Sequence, residues 1–573
     1  MKIPKLFPFA CVALMMTACA SDKDEMGGGT KPGSDPQYLA VNIVNVGATP
    51  TTRGTDDYEN GTTDESTIKK VRFYFFNGDG SPYLIKNPGV PGVTGGDVKN
   101  WLEASPSDDT STSGTPSQIE KITQTVLVIN GIQSAAPAAI VAIVNPETVD
   151  AATLKNGGKM RLSELRYSAV GSQFYKKDAT GKESDFVMSN SVYVNAGEDV
   201  CASLVAGHVT TSEETARTKP VDLYVERVVA KVTADVDNTA FELGNGTNWD
   251  ATKYGTKDPV GQSGDYNVYA VIDGWGLANE NGKAEVEKQV NKTWADGTLG
   301  FTPWTTTDYH RCFWETSVAF VTGAGGNQPV NPRFNQLKAK MKDVLYTLPN
   351  TPGSKVTDLK NNDLTKFAVA ATLRYKDADN NWHDAEICRY NGVSILGIDN
   401  LKRQVALTFS QYYTSTDGTT YTQLSKDDIN FKNPNGTMQP YLVTPTLAND
   451  PAGTKKYYTK TKSGTTPTFT EVDKDKVLAA IEADKAEIRK DGRAYYYVPI
   501  KHLGGTGELA EYGIVRNHFY KITLSGITGF GTPVYDPEKV VDPIVPTYEN
   551  TYLAARVQVL QWRVVNQNAS LGN

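Results

Sequence analysis

The sequence is poor in cysteine and histidine, with five of each in 573 residues. Cys11 lies in an N-terminal apolar stretch. The others, Cys19, Cys201, Cys312 and Cys388, are far apart and form no C-x-x-C pair. That pattern excludes a disulfide framework and a zinc ribbon, and Cys201, Cys312 and Cys388 read as small buried residues. His208, His310, His383, His502 and His518 are scattered without metal-ligand spacing. His383-Asp384-Ala385-Glu386 falls in a predicted strand, where successive side chains split between two faces. Asp377-x-Asp379-x-Asn381 begins like a calcium loop. Trp382 then stands where the loop needs glycine, and Cys388 where it needs a bidentate glutamate. A hairpin turn accounts for it. G-x-S-x-G, H-E-x-x-H and Walker-type loops are missing, so no metal, cofactor or enzyme activity is expected. Positive charge is also short: the net charge is −7 and the pI about 5.5, which argues against nucleic acid as a partner.

What is present points to β-structure. The chain has 29 Tyr, 50 Gly and 29 Pro with Thr-rich stretches, a mixture that favours strands joined by turns. Its length predicts two or more domains. At the N-terminus Lys2 and Lys5 precede an apolar run from Leu6 to Met16, too short to span a bilayer. Met16-Thr17-Ala18-Cys19 follows, the pattern of a bacterial lipoprotein signal, in which the thiol of Cys19 is diacylated and becomes the new N-terminus. Residues 20–36 are charged and Gly-rich and read as a flexible tether.

Strands are expected at Tyr38–Val46, with Leu39, Val41 and Ile43 on one face, and at Ile68–Phe76, with Val71, Phe73 and Phe75 on one face. Val221–Ala234 reads as one long strand whose Glu226-Arg227 pair breaks alternation like a bulge. A hairpin is expected over Phe367–Tyr390. Residues 410–475 are polar and poorly periodic and suggest a solvent-exposed insertion. Val477–Arg489 reads as a helix with Leu478, Ile481 and Ile488 on one face. Further strands are expected at Ala494–Ile500, Gly513–Ile527 and Thr551–Val565. Trp304, Tyr309 and Trp314 could stack on sugars, but such residues more often pack in a core.

Several stretches resemble the fimbrillins of Bacteroidales, the subunits of major and minor fimbriae. They are the lipoprotein leader, Thr52-Arg53-Gly54, FVMSNS at 186–191, ERVVAKV at 226–232, YYYVPI at 495–500, GIVRNHFYKITLSGITGFG at 513–531 and VQVLQWRVV at 557–565. The resemblance implies an all-β protein with minor helix, made of two transthyretin-like β-sandwich domains. The first is expected over 37–240. The second is expected over 241–573, with an insertion at about 410–490. The resemblance also implies a maturation scheme. The lipid-anchored precursor reaches the outer membrane, and an Arg-specific or trypsin-like protease cuts between Arg53 and Gly54. The strand at Tyr38–Val46 then leaves a groove for a strand of the next subunit. The donor candidate is 551–565, with Ala555, Val557 and Val559 on one face and Leu560 and Trp562 nearby. On this scheme the chain is a surface fimbrial subunit that supports adhesion, with other fimbrial subunits as partners and a host or bacterial ligand. The alternatives are a tip or accessory adhesin of the same fold, or a non-polymerising surface lipoprotein that binds a glycan or protein.

Overall fold

The computed structural model describes residues 37–45, 61–86, 98–105, 122–129, 135–149, 154, 159–171, 174–237, 240–243, 268–301, 310–320, 326–359, 363–376, 381–433, 442–463, 466–541, 552–561 and 566–568. Among them, strands dominate and the helices are short.

The first body is built on one sheet of eight strands. Seven are β1 (Gln37–Asn45), β2 (Val71–Phe76), β3 (Trp101–Ala104), β4 (Ile122–Ile129), β5 (Ala139–Val144), β6 (Met188–Asn190) and β7 (Val221–Arg227). Their spatial order is β3-β2-β5-β6-β7-β1-β4, with Ser203–Leu204 added beside β5. The alternation expected from the sequence places Leu39, Val41 and Ile43 in a single core with Val71, Phe73 and Phe75. Ile140, Met188 and Leu223 join the same cluster, so the sheet encloses its own apolar face. All six residues of β2 are buried. The opposite face, with Tyr74, Phe76, Val141 and Ile143, is covered by Leu165, Phe174 and Phe186 and by Ala284, Val286 and Leu348 from later in the chain.

The expected long strand at 221–234 is two strands. β7 ends at Arg227, Val228 and Val229 are buried between the bodies, and β8 (Ala230–Val236) belongs to another sheet. The Glu226-Arg227 pair therefore marks a change of sheet rather than a bulge. β8 lies parallel to a late strand (His518–Thr528) and antiparallel to Val344–Thr347. Against this five-stranded sheet packs a six-stranded one containing β9 (Ala240–Glu242), β10 (Val268–Ala278) and β11 (Lys366–Lys376). Val232, Ala234, Ile522 and Leu524 from one sheet meet Ala270, Val369, Leu373 and Val498 from the other. That is a β-sandwich. Gly274 sits at a register shift between β10 and β11, and a Cβ there would lie 2.4 Å from the Leu337 carbonyl oxygen.

Beyond β11 the expected hairpin is realised only in part. Trp382–Asp384 pairs with β11, but Ile387–Tyr390 turns into a separate sheet. Residues 387–488 form a module with its own core. Its elements are β12 (Ile387–Tyr390), β13 (Val393–Leu396), α1 (Ile398–Thr408), β14 (Tyr412–Ser415), β15 (Thr422–Gln423), β16 (Ile429–Lys432), β17 (Leu442–Leu447), β18 (Lys456–Ser463), β19 (Thr466–Val472), α2 (Lys474–Glu482) and β20 (Ala486–Ile488). In α1, Leu401 and Val405 stand four residues apart on the buried side. The helix expected at 477–489 starts earlier and stops sooner. The Asp473 carboxylate accepts the Asp475 N–H at 2.8 Å, Val477 and Ile481 face the core, and Ile488 lies on β20 opposite Cys388. The polarity of 410–475 hid this core because the buried positions, Leu424, Ile429, Phe431, Val443 and Tyr457, are spread over short strands. The chain then returns to the sandwich through β21 (Arg493–Pro499), β22 (His518–Thr528) and β23 (Tyr552–Gln561). Trp314 is core, packed with Trp294 and Val515; Trp304 and Tyr309 lie outside the described residues. Cys201, Cys312 and Cys388 are buried and form no disulfide among the described residues.

Candidate assembly interface

Two strands near the chain's ends are the elements an assembling subunit could exchange. β1 lies one strand in from the edge of its sheet. It runs parallel to β7, with Val41 opposite Val221 and Ile43 opposite Leu223, and antiparallel to β4, with Leu39 opposite Leu127. Tyr38 and Thr210 exchange backbone hydrogen bonds of 2.7 and 2.9 Å at its start. Leu39, Val41 and Ile43 are fully buried. Each contributes about 1.5–3 kcal/mol of apolar burial, and the main chain is satisfied on both sides. Without β1, β7 and β4 would face each other across an open slot lined by apolar residues.

β23 is held differently. It pairs antiparallel with β22 over ten residues, interrupted by a register shift at Leu524/Gly526. On its other side, among the described residues, only Asn566–Asn568 pairs with it. Of the expected donor residues, Ala555 is 1 % exposed in the sandwich core. Val557, Val559 and Leu560 lie in register with Ile522, Tyr520 and Phe519. Trp562, Cys19, Arg53 and Gly54 are outside the described residues. In the free chain, then, the expected donor strand completes the chain's own sheet.

Between the two bodies lies a polar junction that sequence reasoning did not find. The Lys288 ammonium pairs with Glu226 at 2.8 Å, both side chains fully buried, and also donates to the Cys312 carbonyl at 2.7 Å. Arg516 pairs with Glu315 at 2.8 Å, again fully buried, and donates to the Val286 carbonyl. Arg227 donates to the Glu65 carbonyl at 2.7 Å and to Asn517 at 3.1 Å. Lys231 meets the Glu65 carboxylate at 2.8 Å, and Tyr346 donates to the same group. Burial by itself would raise the Glu65 pKa; Lys231, Tyr346 and Arg227 overcome it and hold the carboxyl below its usual range. Burial pulls Arg227 down to about 10. Burial, with Arg311, His502 and Lys288 nearby, pushes His518 well below the usual imidazole range, so it is neutral. Glu287, fully buried, has no hydrogen-bond partner on either oxygen among the described residues and is pushed up to about 8 by burial against the pull of Arg166 and Arg516. The one sequence signal for this junction was Glu226-Arg227 interrupting an apolar run.

A junction of paired, hydrogen-bonded charges fixes geometry more than it adds net stability. It joins the two bodies through β7 and β8 and through a short pairing of Ala169–Gly171 with Lys283–Glu285. Among the described residues no group of three or more His, Cys, Asp or Glu is placed to hold a metal ion. No helix among them is long and apolar enough to cross a membrane.

The architecture is thus that of an all-β, sandwich-based protein whose terminal strands are bound unequally. Residues 489–568, which include β21, β22 and β23, match the family model described as major fimbrial subunit protein type IV, fimbrillin, C-terminal. That match makes the C-terminal region of the chain similar to the C-terminal part of fimbrillins. No curated protein sequence matches the chain. Among solved structures, a fimbrilin from Porphyromonas gingivalis is similar at 12 % identity and TM-score 0.35, over 92 % of this chain and 98 % of that one. A C-terminally truncated tip fimbrial protein from the same organism is similar at 9 % identity and TM-score 0.27, over 92 % and 100 %. A fimbrial assembly protein from Parabacteroides distasonis is similar at 11 % identity and TM-score 0.24, over 61 % and 85 %.

Proposed function

We propose that this chain is a structural subunit of a cell-surface fimbria. It is exported as a lipoprotein anchored at Cys19 in the outer membrane, cut between Arg53 and Gly54 by an Arg-specific or trypsin-like protease, and polymerised by β-strand exchange. The observation that carries this reading is the position of β1, a nine-residue strand buried between two neighbours and followed by the chain segment that contains Arg53. Loss of β1 opens a row of unpaired backbone groups over an apolar trench, which is a template for another strand. Main-chain hydrogen bonds then supply affinity, and side chains at alternate positions supply specificity. The C-terminal segment 551–565 is the donor, because among the described residues β23 is paired along its full length on one side only and the Pro-rich 533–546 precedes it. Head-to-tail exchange does not close on itself and so builds filaments. The partners are other copies or related fimbrial subunits, and the assembled fibre supports adhesion.

The test is a chain truncated after Asn550, produced in the native host. The account expects a folded monomer that no longer enters SDS-resistant polymers. Polymer of normal length from the truncated chain would overturn strand donation by 551–565. A truncated chain that still adheres without polymerising would favour a tip or accessory adhesin, a reading supported by the separate module at 387–488.

A further inference from the structure

The four-stranded sheet of the inserted module, ordered β15-β14-β18-β19, has one face turned to the module core and one turned away. Tyr457 is buried in that core, with Tyr412 and Val472 packed against it. The register puts Tyr413 opposite Tyr458, Tyr458 opposite Glu471, and Lys460 opposite Phe469, all on the outward face. The rings there form one cluster. Tyr421 stacks on Phe469 with centroids 4.1 Å apart and planes 5° from parallel, and it meets Tyr458 edge-on at 4.8 Å. Tyr413 meets Phe469 edge-on at 5.1 Å. The Tyr421 hydroxyl donates to the Gly418 carbonyl at 2.7 Å, which holds its loop over the sheet.

The charge on this face runs against that of the chain. On its strands Lys456, Lys460 and Lys462 share it with one carboxylate, Glu471, which pairs with Lys456 at 3.1 Å, and Asp417 stands in the adjoining loop. Lys460 and Lys462 are exposed and have no carboxylate partner among the described residues. The Lys460 ammonium lies 5.7 Å from the Tyr413 ring centre and 5.9 Å from that of Phe469. A stacked aromatic platform with two uncompensated cations, on a protein of net charge −7, is more than a solvated sheet surface requires.

We propose that this face binds an acidic saccharide. The C–H face of a sugar ring stacks on the face of Tyr421 turned away from Phe469, which backs it, while its carboxylate or sulfate groups meet Lys460 and Lys462. A single ring face beside two cations suits a saccharide chain better than a protein partner. A standard protein interface needs roughly 800 Å² per side, with anchors set in pockets. The sheet shares no strand with the β1 slot or with β23, so the site does not depend on the mode of assembly.

The probe is a heparin-derived octasaccharide, titrated calorimetrically into the purified chain, with neutral maltooctaose and polyglutamate as comparisons. The octasaccharide should bind saturably, weaken as salt is raised, and exceed maltooctaose at least about tenfold. Tyr421→Ala, and separately Lys460→Gln with Lys462→Gln, should each cost about tenfold or more. The two lysines are exposed, so the second variant keeps the wild-type melting temperature. Absence of saturable binding, or binding unchanged in both variants, would overturn the proposal. Polyglutamate binding as tightly as the octasaccharide would also overturn it, in favour of an acidic protein partner.

Discussion

β1 and β23 are the first and the last long strands described, and they are bound in opposite ways. β1 is gripped on both sides, by a parallel neighbour and an antiparallel one, with three apolar side chains fully buried. Among the described residues β23 is paired along its length on one side only. A strand held on both sides leaves only if its covalent tether is cut, whereas a strand held on one side can peel away intact. On the proposed scheme the first body loses a strand by proteolysis and the second lends one without it. The same contrast appears between the strands that open each body. β8, like β1, runs parallel to a late strand of its own sheet. β8 is fastened to the first body through Val228-Val229 and the charged junction.

The sharpest way to break this comparison is to remove each strand in turn. Deleting 37–45 from a cytoplasmically expressed chain should abolish cooperative unfolding of the first body in a thermal melt. Deleting 551–573 should leave both bodies folded, with a lower melting temperature. The reverse order would refute the difference in grip. Next in size is the junction. Glu226→Ala strands the Lys288 ammonium in a buried site and should cost about 3–5 kcal/mol in urea unfolding, while Glu226→Met with Lys288→Met should recover most of that.

A smaller effect comes from Glu287. Its folded pKa of about 8 lies above the ordinary 4.5. Its contribution is therefore most favourable below pH 4.5 and is lost as pH rises toward and through 8. Glu287→Gln should match the wild type near pH 5, exceed it at pH 8, and flatten stability between them. Equal slopes for the two proteins would contradict this. The smallest expected change is at Asn42. Its amide donates to Asp222 at 2.9 Å on the exposed side of β1, so Asn42→Ala should cost under about 1 kcal/mol.

How legible all this was depended on periodicity. The faces of β1 and β2 were plain because period-two alternation of Leu39, Val41, Ile43 and of Val71, Phe73, Phe75 survives when one side of a sheet is enclosed. The module at 387–488 was obscure because its core draws one or two residues from each of many short elements. α1 went unnoticed for the same reason, since only Leu401, Val405 and Ala406 are buried in it. The junction was illegible because Glu226, Lys288, Glu315 and Arg516 are far apart in sequence, and nothing local says that a lysine will be buried. The division of 221–234 between two sheets is likewise a long-range property. A local bulge and a change of sheet both look like a charged pair inside an apolar run.

On the proposed scheme β1 is cut away and its place is filled by a strand of another subunit. The most direct measurement is N-terminal sequencing of the protein sheared from producing cells, run beside an unboiled gel. The account predicts a start at Gly54 and an SDS-resistant ladder of polymers. A blocked, lipidated Cys19 together with a single monomer band would contradict it.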